Sequence, residues 1–125
     1  MSDGILSVLI VEDEPLLQDV YRMMLASQGY RVTTASNGIQ ALSELKKHEP
    51  DVMLLDYFMP QMDGRTFMLN FDRDIYKDVA IIVLSNISDE TALEEMLKLG
   101  ADAYVLKSSV APSELIELVQ QAAAK

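Results

Sequence analysis

Short apolar runs recur five times along the chain, and each is followed by a segment whose apolar residues fall at helical spacing. The runs cover residues 6–11, 30–34, 52–55, 79–84 and 103–106. Three of them are almost unbroken Val, Ile, Leu and Met, the pattern of strands covered on both faces. Strict alternation of strand and helix predicts a parallel sheet with right-handed crossovers and helices on either side. Five units are too few for an eight-fold barrel. An open, doubly wound α/β sheet of five strands and five helices is therefore expected.

The helical segments carry their own start and stop signals. Leu16/Leu17, Val20 and Met23/Met24 form the first apolar stripe, and Gly29 offers a left-handed stop. A second stripe, Ala41, Leu42 and Leu45, begins after Asn37 as N-cap with Gln40 three residues on, and Pro50 follows its end. Phe67, Met68 and Phe71 mark a short third helix. A fourth is expected to open at Ser88, carry Ala92/Leu93 and Met96/Leu97, and close at Gly100. The fifth opens near Pro112 and buries Leu115, Ile116, Val119 and Ala122.

No repeat, low-complexity run or linker divides the 125 residues, and half of them are apolar, enough for one core without disulfides. The absence of cysteine removes disulfide frameworks, thiolate zinc sites and cysteine nucleophiles together. No basic region precedes the first apolar run, which is too short for a signal or spanning segment, so a soluble, cytoplasmic protein without membrane attachment is expected. Twenty acidic residues against ten basic ones give a net charge of -10, which disfavours direct nucleic-acid binding.

In open parallel sheets, ligands bind beyond the C-terminal ends of the strands. The first apolar run stops at Glu12-Asp13, the third at Asp56, the fourth at Ser85 and the fifth at Lys107; only the second lacks such a group. Each residue has an ordinary explanation alone: a helix cap for Glu12, Asp13 or Ser85, an Asx turn for Asp56, a solvated lysine for Lys107. Together they bring three carboxylates, a hydroxyl and an ammonium to one edge. Crowded carboxylates raise one another's pKa unless a cation sits among them, and hard oxygen ligands suit Mg²⁺. Mg²⁺ would neutralise charge between a carboxylate nucleophile and an incoming phosphoryl group. Lys107 and the Ser85 hydroxyl would each meet a phosphoryl oxygen.

The chain resembles the response-regulator receiver family over essentially its whole length. The residues that carry the resemblance are Val8-Leu9-Ile10-Val11-Glu12-Asp13, Leu54-Leu55-Asp56, Met59-Pro60 with Met62-Asp63-Gly64, Ile82-Val83-Leu84-Ser85, and Gly100-Ala101-Asp102-Ala103-Tyr104-Val105-Leu106-Lys107. The resemblance implies a flavodoxin-like sheet of strand order 2-1-3-4-5 and a single receiver domain over residues 1–125, with no effector domain in this chain. Whether it stands alone or is cut from a longer regulator stays open. By the same resemblance Asp56 is the phosphoacceptor, and Glu12, Asp13, Asp56 and the Phe58 backbone carbonyl bind Mg²⁺. Ser85 is then the hydroxyl switch residue and Tyr104 the aromatic one. The implied function is a signalling switch rather than an enzyme. It would be loaded by a sensor histidine kinase or histidine phosphotransfer protein. It would act on a downstream effector through the face of the fourth helix, fifth strand and fifth helix, and it admits a phosphorylation-dependent dimer. The alternative is a receiver-like interaction module that acts without phosphorylation.

Some positions depart from the family pattern. Ser108 follows Lys107 where a cis proline is usual, leaving a trans bond or a cis bond costing ~3–4 kcal/mol. Phe58 is bulkier and less polar than the residues often found two positions after the acceptor, and Asn86, with Ile87 next, follows Ser85 where a small residue is more common. A haloacid-dehalogenase-type phosphatase would need a second aspartate at position 58, and neither a GxxxxGK[ST] loop nor a GxGxxG turn is present. His48 is expected to be a solvated surface residue, and the eight methionines to fill the core.

Overall fold

The computed structural model describes residues 4–59, 61–86 and 88–124. Met1, Ser2, Asp3 and Lys125 lie outside the described residues, as do Pro60 of the family pattern and Ile87, which follows the departure at Asn86. Strands and helices alternate as the apolar pattern predicts: β1 (Ser7–Val11), α1 (Pro15–Ala26), β2 (Arg31–Ala35), α2 (Gly38–Lys47), β3 (Val52–Asp56), α3 (Gly64–Asn70), β4 (Ala80–Ser85), α4 (Glu90–Lys98), β5 (Ala103–Leu106) and α5 (Pro112–Ala123). All strand pairs are parallel, in the order β2-β1-β3-β4-β5. The chain is thus a flavodoxin-like doubly wound α/β sheet, as expected.

Alternating side chains of the three central strands build two cores. Leu9, Val11, Met53, Leu55, Ile81 and Val83 face one way and meet Ala41, Leu45, Phe67, Met68 and Met96 from α2, α3 and α4. Val8, Ile10, Val52, Leu54, Ile82 and Leu84 face the other way and meet Tyr21, Leu25, Leu115 and Val119 from α1 and α5. β1, β3 and β4 are buried throughout, which is why their sequences read as unbroken apolar runs.

Capping chemistry sets the helix starts. Asn37 Oδ1 accepts from the Gln40 N–H and Asp63 Oδ1 from the Thr66 N–H. α4 differs from expectation. Its cap is Asp89, which accepts from the N–H groups of Thr91 and Ala92, so Ser88 precedes the helix instead of opening it. The carboxylate satisfies two orphan donors and also faces the positive end of the helix. α5 begins at Pro112, with Glu114 Oε1 accepting from the Ala111 N–H.

The expected stripe on α1 is corrected. Leu16 is 74% exposed, Val20 48% and Met23 63%, while Tyr21 and Leu25 are buried and Leu17 and Met24 half-buried. The helix is turned so that residues 17, 21, 24 and 25 cover the sheet, leaving an apolar stripe in solvent. Four methionines, Met53, Met59, Met68 and Met96, are in the core, but Met23 is not. His48 is exposed yet not merely solvated: its Nε2 lies 2.9 Å from the Oγ of buried Ser7.

Candidate functional site

Strand order reverses at β1, which lies between β2 and β3, and it is beyond the C-terminal ends of the strands at such a point that open parallel sheets bind ligands. Glu12 and Asp13 follow β1 directly and Asp56 is the last residue of β3, so both strands beside the switch point end in carboxylates. Ligand oxygens of Glu12, Asp13 and Asp56 all lie within 4.8 Å of one another. Glu12 and Asp56 are 2% and 3% exposed, and Asp13 is the more open of the three. Lys107 enters from the end of β5: its Nζ is 2.8 Å from Glu12 Oε1 and 3.2 Å from Asp56 Oδ1. No cis peptide bond occurs among the described residues, so the Lys107–Ser108 bond is trans and the lysine reaches the carboxylates without one.

These groups sit in unequal balance. Burial, and then the neighbouring Glu12 carboxylate, push Asp56 up to about 7 against the pull of Lys107. Burial works to lower the Lys107 ammonium, but the Glu12 hydrogen bond and the Asp56 charge outweigh it and hold it above its ordinary value. One ammonium does not offset three carboxylates. The donor set is all hard oxygen, and its excess negative charge is what a small divalent cation would relieve; the residues present fit Mg²⁺.

The remaining expected residues lie on β4, on β5 and in the loop after β3. Asp56 pairs with Leu84 across β3 and β4, which leaves Ser85 one residue further along the same edge. Ser85 is wholly buried, and no buried side-chain polar atom among the described residues lacks a partner. Phe58 donates its N–H to Asp56 Oδ1 at 3.3 Å, while its side chain is 47% exposed and edge-on to Tyr57, centroids 4.9 Å apart. Tyr104 is half-buried on β5. Gly64 fits close against the loop after Asp56: a Cβ there would lie 2.9 Å from Tyr57 Cα and 3.1 Å from Asp56 O. Its N–H donates to Tyr57 O at 2.8 Å, so close approach rather than an unusual φ requires glycine.

Three residues escaped the sequence reading. Gln18 on α1 donates from Nε2 to Glu12 O at 2.9 Å and to Ala35 O at 3.3 Å, tying the helix to the ends of β1 and β2. Buried Tyr21 feels the charges of Lys107, Glu12 and Asp56. The Tyr57 ring lies 6.2 Å from that of Tyr104 in an edge contact, linking the loop after Asp56 to β5. Each is a contact between distant segments with no local spacing signal. Only Tyr57, directly after Asp56, stood where attention could have fallen.

Known proteins resemble this chain in sequence and in shape. The family pattern described as "Response regulator receiver domain" matches residues 8–120. "Probable transcriptional regulator ycf27" of Guillardia theta is 40% identical over 108 residues, covering 86% of this chain and 41% of the relative. "Probable C4-dicarboxylate response regulator DctR" of Priestia megaterium is 33% identical over 103 residues, covering 81% of this chain and 45% of the relative. The chain thus spans less than half the length of these two relatives. Among solved structures, chemotaxis protein CheY4 of Vibrio cholerae superposes with a TM-score of 0.88 at 28% identity, covering 95% of this chain and 99% of that one. A CheY-like receiver domain protein of Methanospirillum hungatei shares the fold at a TM-score of 0.90 and 23% identity, covering 97% and 95%.

Proposed function

This chain belongs to the response regulator receiver domain family of two-component systems, and from that premise we propose that it is a switch thrown by phosphorylation of Asp56. The observation that carries the reading is the carboxylate cluster of Glu12, Asp13 and Asp56 with Lys107 held against it. Glu12, Asp13, Asp56 and the Phe58 carbonyl would hold Mg²⁺. Bound there, the ion supplies charge neutralisation between the acceptor carboxylate and the incoming phosphoryl group.

The donor is a phosphohistidine of a sensor kinase or phosphotransfer protein. An Asp56 carboxylate oxygen forms the new bond to phosphorus as the P–N bond breaks, and the leaving imidazole keeps its electron pair. Lys107 exchanges its contact with Asp56 for one to a phosphoryl oxygen while Glu12 keeps it in place. Ser85, one residue beyond the register partner of Asp56, donates its hydroxyl to another phosphoryl oxygen. Tyr104 turns inward behind it, and the α4–β5–α5 face then changes its affinity for an effector. The chain promotes only its own phosphorylation and dephosphorylation, and works in the cytoplasm. Among the described residues no helix is long and apolar enough to cross a membrane. The net charge of -10 leaves direct nucleic-acid binding disfavoured.

Incubation with acetyl phosphate tests this. Intact mass should show a phosphoryl adduct that requires Mg²⁺ and is missing from Asp56→Asn. An unmodified wild type under the same conditions would favour the interaction module that works without phosphorylation.

A further inference from the structure

β5 is an edge strand, and its four residues are all half-buried between α4 on one face of the sheet and α5 on the other. A groove runs along each side of it. The one towards α5, of 280 Å³, has a floor of Val105, Val110 and Leu118 and a rim that includes Glu114 and Glu117. The one towards α4, of 240 Å³, has a floor of Leu93, Tyr104 and Leu106 and a rim that includes Asp89 and Glu90. Neither groove is lined by a basic residue. Asp89 and Glu114 cap their helices, which satisfies backbone N–H groups but leaves the carboxylates charged. No ion pair involves any of the four among the described residues, and Lys107, next along the chain from β5, is turned into the carboxylate site.

Apolar floors with rims of a single charge specify the chemistry of an occupant. On the reading of α4–β5–α5 as the output face, we propose that these grooves take a basic amphipathic segment of the effector, its apolar side chains seated beside β5 and its lysines or arginines over Glu90 and Glu117. Rim charges of this kind set partner choice and association rate more than total affinity. A second copy of this chain presented through the same face would bring like-charged rims together. The surface therefore selects a basic partner over self-association.

Two fluorescein-labelled helical peptides with one shared leucine face, one with a lysine polar face and one with glutamate, serve as probes. The lysine peptide should bind at least about tenfold more tightly than the glutamate peptide, weaken as salt is raised, and shift the amides of Val105, Glu117 and Leu118. Glu90→Lys/Glu117→Lys should abolish or reverse that preference. Glu49→Lys/Asp74→Lys, with the same change in net charge on another surface, should retain it. Melting temperatures of both variants establish that they fold. Equal binding of the two peptides, equal loss in both variants, or self-association through this face would overturn the proposal. Beryllofluoride with Mg²⁺ separates it from the switch reading. Lysine-selective binding at this face that is indifferent to beryllofluoride supports the partner chemistry and defeats the switch. Beryllofluoride-dependent shifts on β5 without peptide selectivity defeat the partner chemistry alone.

Discussion

Asp56 is held by opposing forces, and its titration gives a residue-scale prediction. Its folded-state pKa of about 7 lies above the ordinary carboxylate value of 3.8. Between those values the folded chain keeps a proton that the unfolded chain has released, so stability falls as pH rises through the window. The loss is complete above the folded pKa, absent below the unfolded one, and no more than about 4 kcal/mol. Metal-free Asp56→Asn should therefore melt above the wild type at pH 7.5, and the gap should close towards pH 4. A gap constant with pH would contradict this origin. Phe58 governs a second property. Its ring packs edge-on to Tyr57 in the loop after Asp56, and on the proposed phosphorylation of Asp56 this bulk would hinder an attacking water. Phe58→Asn should shorten the lifetime of phospho-Asp56 in Mg²⁺; equal or slower decay would count against that role.

At the scale of elements, α1 separates burial from composition. Leu16 and Leu25 are the same residue type on one helix, but Leu16 is largely exposed and Leu25 wholly buried. Leu25→Ala should cost about 2–5 kcal/mol, whereas Leu16→Ala should stay within about 0.5 kcal/mol, both measured by urea unfolding. The same helix marks where sequence reading ended. Residues 16, 20 and 23 and residues 17, 21, 24 and 25 form two overlapping apolar stripes, and helical period alone does not say which one faces the sheet. The strands were legible because burial on both faces writes itself as unbroken apolar runs. The acidic ends were legible because Glu12-Asp13 and Asp56 interrupt those runs abruptly. Contacts such as Gln18 to Ala35 and Tyr57 to Tyr104 join segments 17 and 47 residues apart, so no local spacing announces them. The trans bond after Lys107 was equally hidden, since Ser108 permits either loop a reader might draw.

For the whole molecule, a single core on each side of the sheet delivers five groups from four sequence-distant strand ends to one edge, and excess negative charge collects there. Mg²⁺ should consequently raise the melting temperature of the wild type through preferential binding to the folded state, and Asp13→Asn should remove most of that rise. An unchanged melting temperature at saturating Mg²⁺ would speak against a built metal site. The proposed switch stands or falls on Asp56 as the phosphoryl acceptor. Borohydride reduces an aspartyl phosphate to homoserine, so reduction after exposure to acetyl phosphate and Mg²⁺, followed by peptide mapping, reads the modified position directly. Homoserine at position 56 and nowhere else is the predicted result; homoserine at another carboxylate, or none at all, would contradict the account.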